Sequence, residues 1–233
     1  MSIFVNPSER AHILWGSFFY IIAPLQYFLA QILVAWAWEP PYNWNTNYIS
    51  DLGNTACGMF TLPHDVPGYV CSPYNLVMNI SFVLSGVLLI AGTILLRRFW
   101  PQDKRSTTAF VLLLIAGVGR CIVGLVPENT ILPLHSIAAL NIPIASVAIL
   151  FLGSTAFRTH RSLAISAVVA SAIGLCATFL LGAAESGYDA ALLGLGYGGM
   201  ERLASYPMNI WMIAVGIIVI AEAKSVSDDR KSP

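Results

Sequence analysis

Six stretches of this chain are long and apolar enough to cross a bilayer, and that property limits the fold more than any other. A spanning helix needs about 20 mostly apolar residues to cross a hydrocarbon layer roughly 30 Å thick. The runs at about 12–37, 74–97, 108–126, 134–156, 162–183 and 207–223 meet that requirement. Within lipid each must satisfy its backbone polar groups internally, so each reads as a helix. Of the 233 residues, 57% are hydrophobic and 10% charged, against about a quarter charged in soluble domains. The expected fold class is all-α: a polytopic membrane helical bundle with six transmembrane helices, forming a single domain over residues 1–233. The first run ends in Ala35-Trp36-Ala37, which loosely fits a signal-peptidase site. Its apolar core is too long for that use and bulky Trp flanks the site, so a retained anchor is expected.

Basic residues set the expected orientation. Arg10 precedes the first run, and Arg97, Arg98, Lys104 and Arg105 follow the second. Arg158 and Arg161 follow the fourth, and Lys224, Arg230 and Lys231 follow the sixth. Ten of the twelve Lys and Arg residues thus fall on one side, which predicts that both termini are cytoplasmic. The loops 38–73, 127–133 and 184–206 then face outwards. Arg120 and Arg202 break the pattern, in an outer half otherwise rich in Asp and Glu (Glu39, Asp51, Asp65, Glu128, Glu185, Asp189, Glu201). The net charge is zero and no basic cluster occurs, so a nucleic-acid partner is not expected.

Polar residues inside a bilayer are costly and usually face a bundle interior or a wet cavity. Asn75 and Asn79, spaced i, i+4, share a face at the outer end of the second span. Arg120 lies in the outer half of the third, His135 opens the fourth, and Asn209 begins the sixth. Asn141 lies about 9 Å deeper than His135 at the helical rise. The cytoplasmic halves carry little beyond Ser, Thr and Gly. This one-sided polarity predicts a pocket that opens outwards over a tightly packed inner half. Interhelical hydrogen bonding alone would also account for the Asn residues.

Cys57 and Cys71 fall in the first outer loop with thirteen residues between them. An oxidising outer face predicts a disulfide there, closing the loop "GMFTLPHDVPGYV". Cys121 and Cys176 lie in spans and read as free thiols, and no CxxC suggests redox chemistry. Trp36, Trp38, Tyr42, Trp44 and Tyr48 crowd the end of the first span and the loop after it, as an aromatic belt would.

Four outward pieces carry the polar chemistry: "YISDLG" (48–53), "GRCIVGLVPEN" (119–129), "LPLHS" (132–136) and "GMERLASYP" (199–207). In order and spacing they resemble a family of six-span bacterial and archaeal membrane proteins. That family is described only as a domain of unknown function, number nine hundred and ninety-eight. The matching positions are Ser50, Asp51, Leu52 and Gly53, then Gly124 and Pro127, then His135, then Glu201 and Arg202. The cysteine-bearing insertion at 54–72 is longer than the family pattern. The resemblance implies the fold and a set of residues, not an activity.

Two chemistries suit those residues. In the first, Asp51, His135 and Glu201 are the candidate catalytic groups, with Asp51 orienting His135 as general base. Arg120 and Arg202 would then hold a developing oxyanion or a phosphate, and Ser50, Asn75 and Asn79 would complete a ligand site for a membrane lipid or amphiphile. In the second, Asp51, His135 and Glu201, with His64, bind zinc. No HxxxH or HxxE spacing supports that, so no cofactor is assigned. A wholly structural arrangement is the alternative: Ser50 caps a turn, and Asp51 and Glu201 pair with the two arginines. The glycines at 194, 196, 198 and 199 suggest a lid or a tight re-entrant turn rather than a phosphate loop. A transporter component and an assembly protein remain the competing functions.

Overall fold

Each apolar run does fold as a helix, and the differences from expectation lie at breaks and ends. The computed structural model describes residues 7–62, 66–157 and 159–229, so expectations placed on His64, Asp65, Arg158, Arg230 and Lys231 lie outside the described residues. The helices are α1 (Pro7–Trp36), α2 (Asn75–Leu95), α3 (Lys104–Leu125), α4 (Leu132–Ala139), α5 (Asn141–Ala156), α6 (Arg161–Glu185) and α7 (Gly196–Asp229). With α4 and α5 counted as one span, six are long and apolar enough to cross a membrane. This is a multi-pass membrane protein.

The fourth span is interrupted. Pro143 has no N–H for the carbonyl of Ala139, so the helical ladder cannot run through it. The chain turns at Leu140, and Asn141 Nδ2 bonds the Ala138 carbonyl oxygen at 2.9 Å beside the break. The last span begins at Gly196 rather than near 207, which draws Glu201 and Arg202 out of the expected loop and onto a helix. Pro207 sits inside α7, and the glycine run forms its first turn rather than a lid. That turn has an acceptor waiting, because the Gly199 N–H donates to the Asn45 carbonyl oxygen at 3.1 Å.

The bundle is a closed ring. Each span packs on the next in sequence, and α7 returns to α1. Six alternating spans put both termini at one end, where Arg10 Nη2 donates to the Ala223 carbonyl oxygen at 3.0 Å and Arg98 pairs with Glu9. That half has a close-packed core of Tyr20, Leu89, Leu113, Ile149 and Met212. Ala145, Ala148, Ala164 and Ala167 are wholly buried, as expected where small residues let helix backbones approach. Large apolar side chains such as Leu29, Ile80, Ile115, Phe179 and Ile217 cover the lipid-facing exterior.

The opposite end holds the long connection between α1 and α2. Besides a short 3-10 turn (Ser50–Gly53), this contains an antiparallel hairpin of β1 (Gly58–Leu62) and β2 (Val66–Val70). The all-α expectation thus gains a small two-stranded ribbon. Cys57 and Cys71 flank it and are joined in a disulfide, with Cα atoms 4.2 Å apart.

Candidate functional site

The residues 42–57 make no regular core of their own, so their backbone groups must find partners elsewhere. They find them on α2 and α7 and on the segments that carry Ser72 and Asn129. Ser72 Oγ donates to the Leu52 carbonyl oxygen at 2.6 Å, and Asn79 Nδ2 to that of Gly53 at 2.8 Å. Asn129 and Thr55 bond reciprocally, each at 3.1 Å. Glu201 accepts the Ile49 N–H. The approach to α2 and α7 is close enough to demand glycine twice. A Cβ on Gly53 would lie 2.4 Å from Asn79 Oδ1, and one on Gly198 would lie 1.9 Å from the Asn47 carbonyl oxygen.

Arg202 is the main clamp. Its Nη1 donates to the carbonyl oxygens of Trp44 (2.9 Å), Asn47 (3.0 Å) and Gly198 (2.8 Å), and its Nη2 to the Tyr42 hydroxyl. The guanidinium carbon lies 4.8 Å from the centre of the Trp44 ring and 5.3 Å from that of Tyr42. Arg120 is placed differently. It is buried within the bundle, 5.3 Å over the Tyr27 ring, and donates to Asn209 Oδ1 at 3.0 Å. Neither arginine forms an ion pair with Asp51 or Glu201 among the described residues, so the paired-charge arrangement is not formed. In both cases carbonyl oxygens and aromatic faces take the role expected of a carboxylate.

Asp51 Oδ2 accepts the Tyr48 N–H at 2.8 Å and Asn47 Nδ2 at 3.4 Å, which tightens the turn from within. Ser50 does not cap that turn; Ile49 stands at the cap position and makes no side-chain bond. The other Asp51 oxygen, Oδ1, is buried and receives no protein donor. Burial, reinforced by the neighbouring Glu128 carboxylate, raises the Asp51 carboxyl to about 9. At neutral pH Asp51 therefore keeps its proton, available to Glu128. Burial and the Glu185 carboxylate likewise hold the Tyr48 hydroxyl far above the usual phenol range, so it remains a donor, to Glu185 Oε1 at 3.1 Å.

Beside this loop lies a cavity of about 650 Å³. Besides the loop, residues around the α4–α5 break and on α6 and α7 line it. On the loop side its wall carries Tyr48, Ser50, Asp51 and Asn54, and Glu128 and His135 adjoin them. Glu185 and Glu201 reach it from α6 and α7, while Leu132, Leu140, Ile142 and Leu181 make an apolar side. His135 Nδ1 lies 2.7 Å from the Val126 carbonyl oxygen. A carbonyl only accepts, so Nδ1 carries a proton, and in the neutral imidazole Nε2 is the acceptor. In the other half of the bundle, the space among Tyr20, Thr93, Trp100 and Leu113 is about 10 Å³, room for one water.

The fold thus brings Ser50, Asp51, His135 and Glu201 to one cavity, although Asp51 and His135 share no hydrogen bond. Arg120, Arg202, Asn75 and Asn79 lie outside its wall; Asn75 Nδ2 donates to the Ser72 carbonyl oxygen at 2.8 Å. Among the described residues no three His, Cys, Asp or Glu side chains are grouped to hold a metal ion. Glu128, Glu185, Tyr48 and Asn54 were not singled out from the sequence as site residues. Their signal was a polar group in or beside an outer loop, which looks the same whether it faces solvent or a cavity.

No curated protein and no solved structure is detectably similar to the chain. A family model covering residues 21–218 does match, and the chain belongs to the family described as "Protein of unknown function (DUF998)".

Proposed function

We propose that this protein binds a membrane amphiphile, with the headgroup in the cavity and the alkyl chain towards lipid. The observation that carries this is the two-sided wall, polar along the loop and apolar along α5 and α6. Ligand pockets of a few hundred Å³ with an apolar lining and a few placed polar groups have this character. The cavity end faces outwards and both termini are cytoplasmic. Support comes from the ten of twelve basic residues on the terminal side and from the disulfide at the other end. The packed terminal half favours binding over passage across the membrane.

Gly182 supplies the test. It lies in the cavity wall, and a Cβ there would meet nothing within 4 Å, so Gly182→Leu adds bulk at the wall without a clash at its Cβ. Native mass spectrometry with lipidomics should find an amphiphile on the wild type that is depleted in Gly182→Leu. Identical profiles from two equally stable proteins would sink the proposal. Orientation is checked by labelling single cysteines at the α2–α3 connection and in the hairpin in intact cells; a membrane-impermeant maleimide should reach only the hairpin.

A catalytic use of the same wall is the second reading. It is favoured by protonated Asp51 and acceptor His135 lining one space, an acid and a base on opposite roles for a single substrate. Turnover of a radiolabelled lipid extract by the wild type, and its loss in His135→Gln, is the measurement that separates catalysis from binding alone.

A further inference from the structure

Four carboxyl groups, on Asp51, Glu128, Glu185 and Glu201, enter one cavity that has an apolar side. Gathering like charges in a partly dry space is unfavourable unless protons or a counter-cation neutralise them. The proton kept by Asp51 removes one of the four charges, and Arg202 acts on Glu201 only through space, without an ion pair, so Glu128 and Glu185 keep no cation of the protein's own. Arg202 is committed to three backbone carbonyls and two aromatic rings, and Arg120 to Asn209 and Tyr27. Among the described wall residues the one basic side chain is His135, whose Nδ1–H is taken by Val126.

A second, independent feature points the same way. Asn54 is 2% exposed and lies in the wall. Its Nδ2 donates to Glu128 Oε1 at 3.0 Å, which fixes the orientation of the amide, and Oδ1 is left buried without a donor. Asp51 Oδ1 also lacks a protein donor, but it is the oxygen that carries the retained proton, because Oδ2 takes the Tyr48 and Asn47 N–H groups. Glu185 and Glu201 each have one oxygen bonded, by the Tyr48 hydroxyl and the Ile49 N–H, and a second with no protein donor. Asn54 Oδ1 and the second oxygens of Glu185 and Glu201 are therefore unfilled acceptors, while the Ser50 and Ser136 hydroxyls of the wall can turn to donate or accept.

We propose that the cavity selects a headgroup carrying a protonated primary amine, and that the ligand is an alkyl ammonium amphiphile rather than a phosphate-bearing one. This rests on the cavity being a ligand site. An ammonium supplies three N–H donors and one positive charge, matching the unfilled acceptors and the uncompensated carboxylates together. A phosphate would bring more acceptors and more negative charge. A quaternary ammonium would supply charge without donors, and a sugar donors without charge.

The test uses purified full-length protein in a non-ionic detergent at pH 7.5, with four probes sharing one alkyl chain: dodecylamine, dodecyltrimethylammonium, dodecyl glucoside and dodecyl phosphate. Butylamine is a fifth, and Gly182→Leu reports partition into the micelle. Dodecylamine should bind the wild type about tenfold or more tighter than dodecyl phosphate, the equivalent of one full charge-assisted contact. That binding should vanish in Gly182→Leu and weaken about tenfold in Glu128→Gln or Glu185→Gln. Preference for dodecyl phosphate, or equal binding of the glucoside or the quaternary ammonium, with Gly182→Leu still abolishing it, would overturn the amine proposal while leaving the cavity as a ligand site. Binding of no probe, or binding that Gly182→Leu leaves intact, would overturn both. Butylamine binding as tightly as dodecylamine would uphold the amine and remove the alkyl chain from the proposal.

Discussion

Arg202 Nη1 donates to the carbonyl oxygen of Asn47 at 3.0 Å, and Asn47 in turn donates through Nδ2 to Asp51 Oδ2 at 3.4 Å. The cation of the Glu-Arg pair thus reaches the Asp of the Ser-Asp-Leu-Gly turn only through an intervening amide. It shapes the cavity by holding the loop down on α7.

Truncation of that clamp should be felt as stability. Arg202→Ala leaves the Trp44 carbonyl without a donor and removes the charged bonds to Asn47 and Gly198 and two ring contacts, a loss of about 3 kcal/mol at 1–3 kcal/mol per unsatisfied buried group or charged bond. Arg202→Lys should recover less than half, because an ammonium cannot reproduce the fork. A thermal scan in detergent reads both, and an unchanged midpoint in Arg202→Ala would contradict the clamp.

Stability should also fall as pH rises. The folded state keeps the Asp51 proton up to about 9, whereas an ordinary aspartate releases it near 3.8. Between those values the folded chain binds the extra proton, so this contribution is complete below the lower value and is lost as pH climbs towards the upper. Asp51→Asn mimics the protonated form and should flatten the decline, exceeding wild type in unfolding midpoint at pH 8–9. Parallel pH curves for the two proteins would count against a retained proton.

Reduction of Cys57–Cys71 should loosen the hairpin selectively. Opening a loop of this size removes about 3 kcal/mol in the chain-entropy picture. Hydrogen exchange should quicken in β1 and β2 after reduction, with α3 and α5 unaffected. Equal protection before and after would mean that strand pairing needs no staple.

The two close glycines should differ in tolerance. At Gly53 the obstructing atom is the Asn79 side-chain oxygen, which can swing away; at Gly198 it is the Asn47 backbone carbonyl, which cannot. Gly198→Ala should cost about 1–3 kcal/mol, and Gly53→Ala less than that. The reverse order in denaturation midpoints would mean that the loop at 43–47 moves more freely than α2.

Legibility in the sequence followed the range of the forces involved. Five helix starts lay close to expectation because hydrophobic length is a local property. The last start was missed because Gly196 to Gly199 look like breakers until Asn45 supplies a long-range acceptor. The break at Leu140 was half visible: Pro143 stood in the sequence, but whether a proline kinks a span or is absorbed, as Pro207 is in α7, depends on the neighbouring packing. The hairpin was read only as a turn-rich loop closed by cysteines.

Ser50, Asp51, His135 and Glu201 could be singled out as one-sided polarity in an apolar chain, since membranes make such residues conspicuous by composition alone. What they touch could not be read. The expected carboxylate partners of Arg120 and Arg202 are replaced by Asn209, the carbonyls of 44, 47 and 198, and aromatic rings, and the His135 partner is Val126. A guanidinium or an imidazole accepts any well-placed oxygen, so sequence restricts the chemistry of a partner without choosing it. The amino-acid order by itself determined six spans, their alternation and the end at which polarity gathers, because these depend on lengths and counts along the chain. Only the tertiary structure decided that four carboxyls would share one cavity while both arginines turned away from it, because that depends on where the loop, α4, α6 and α7 meet in space.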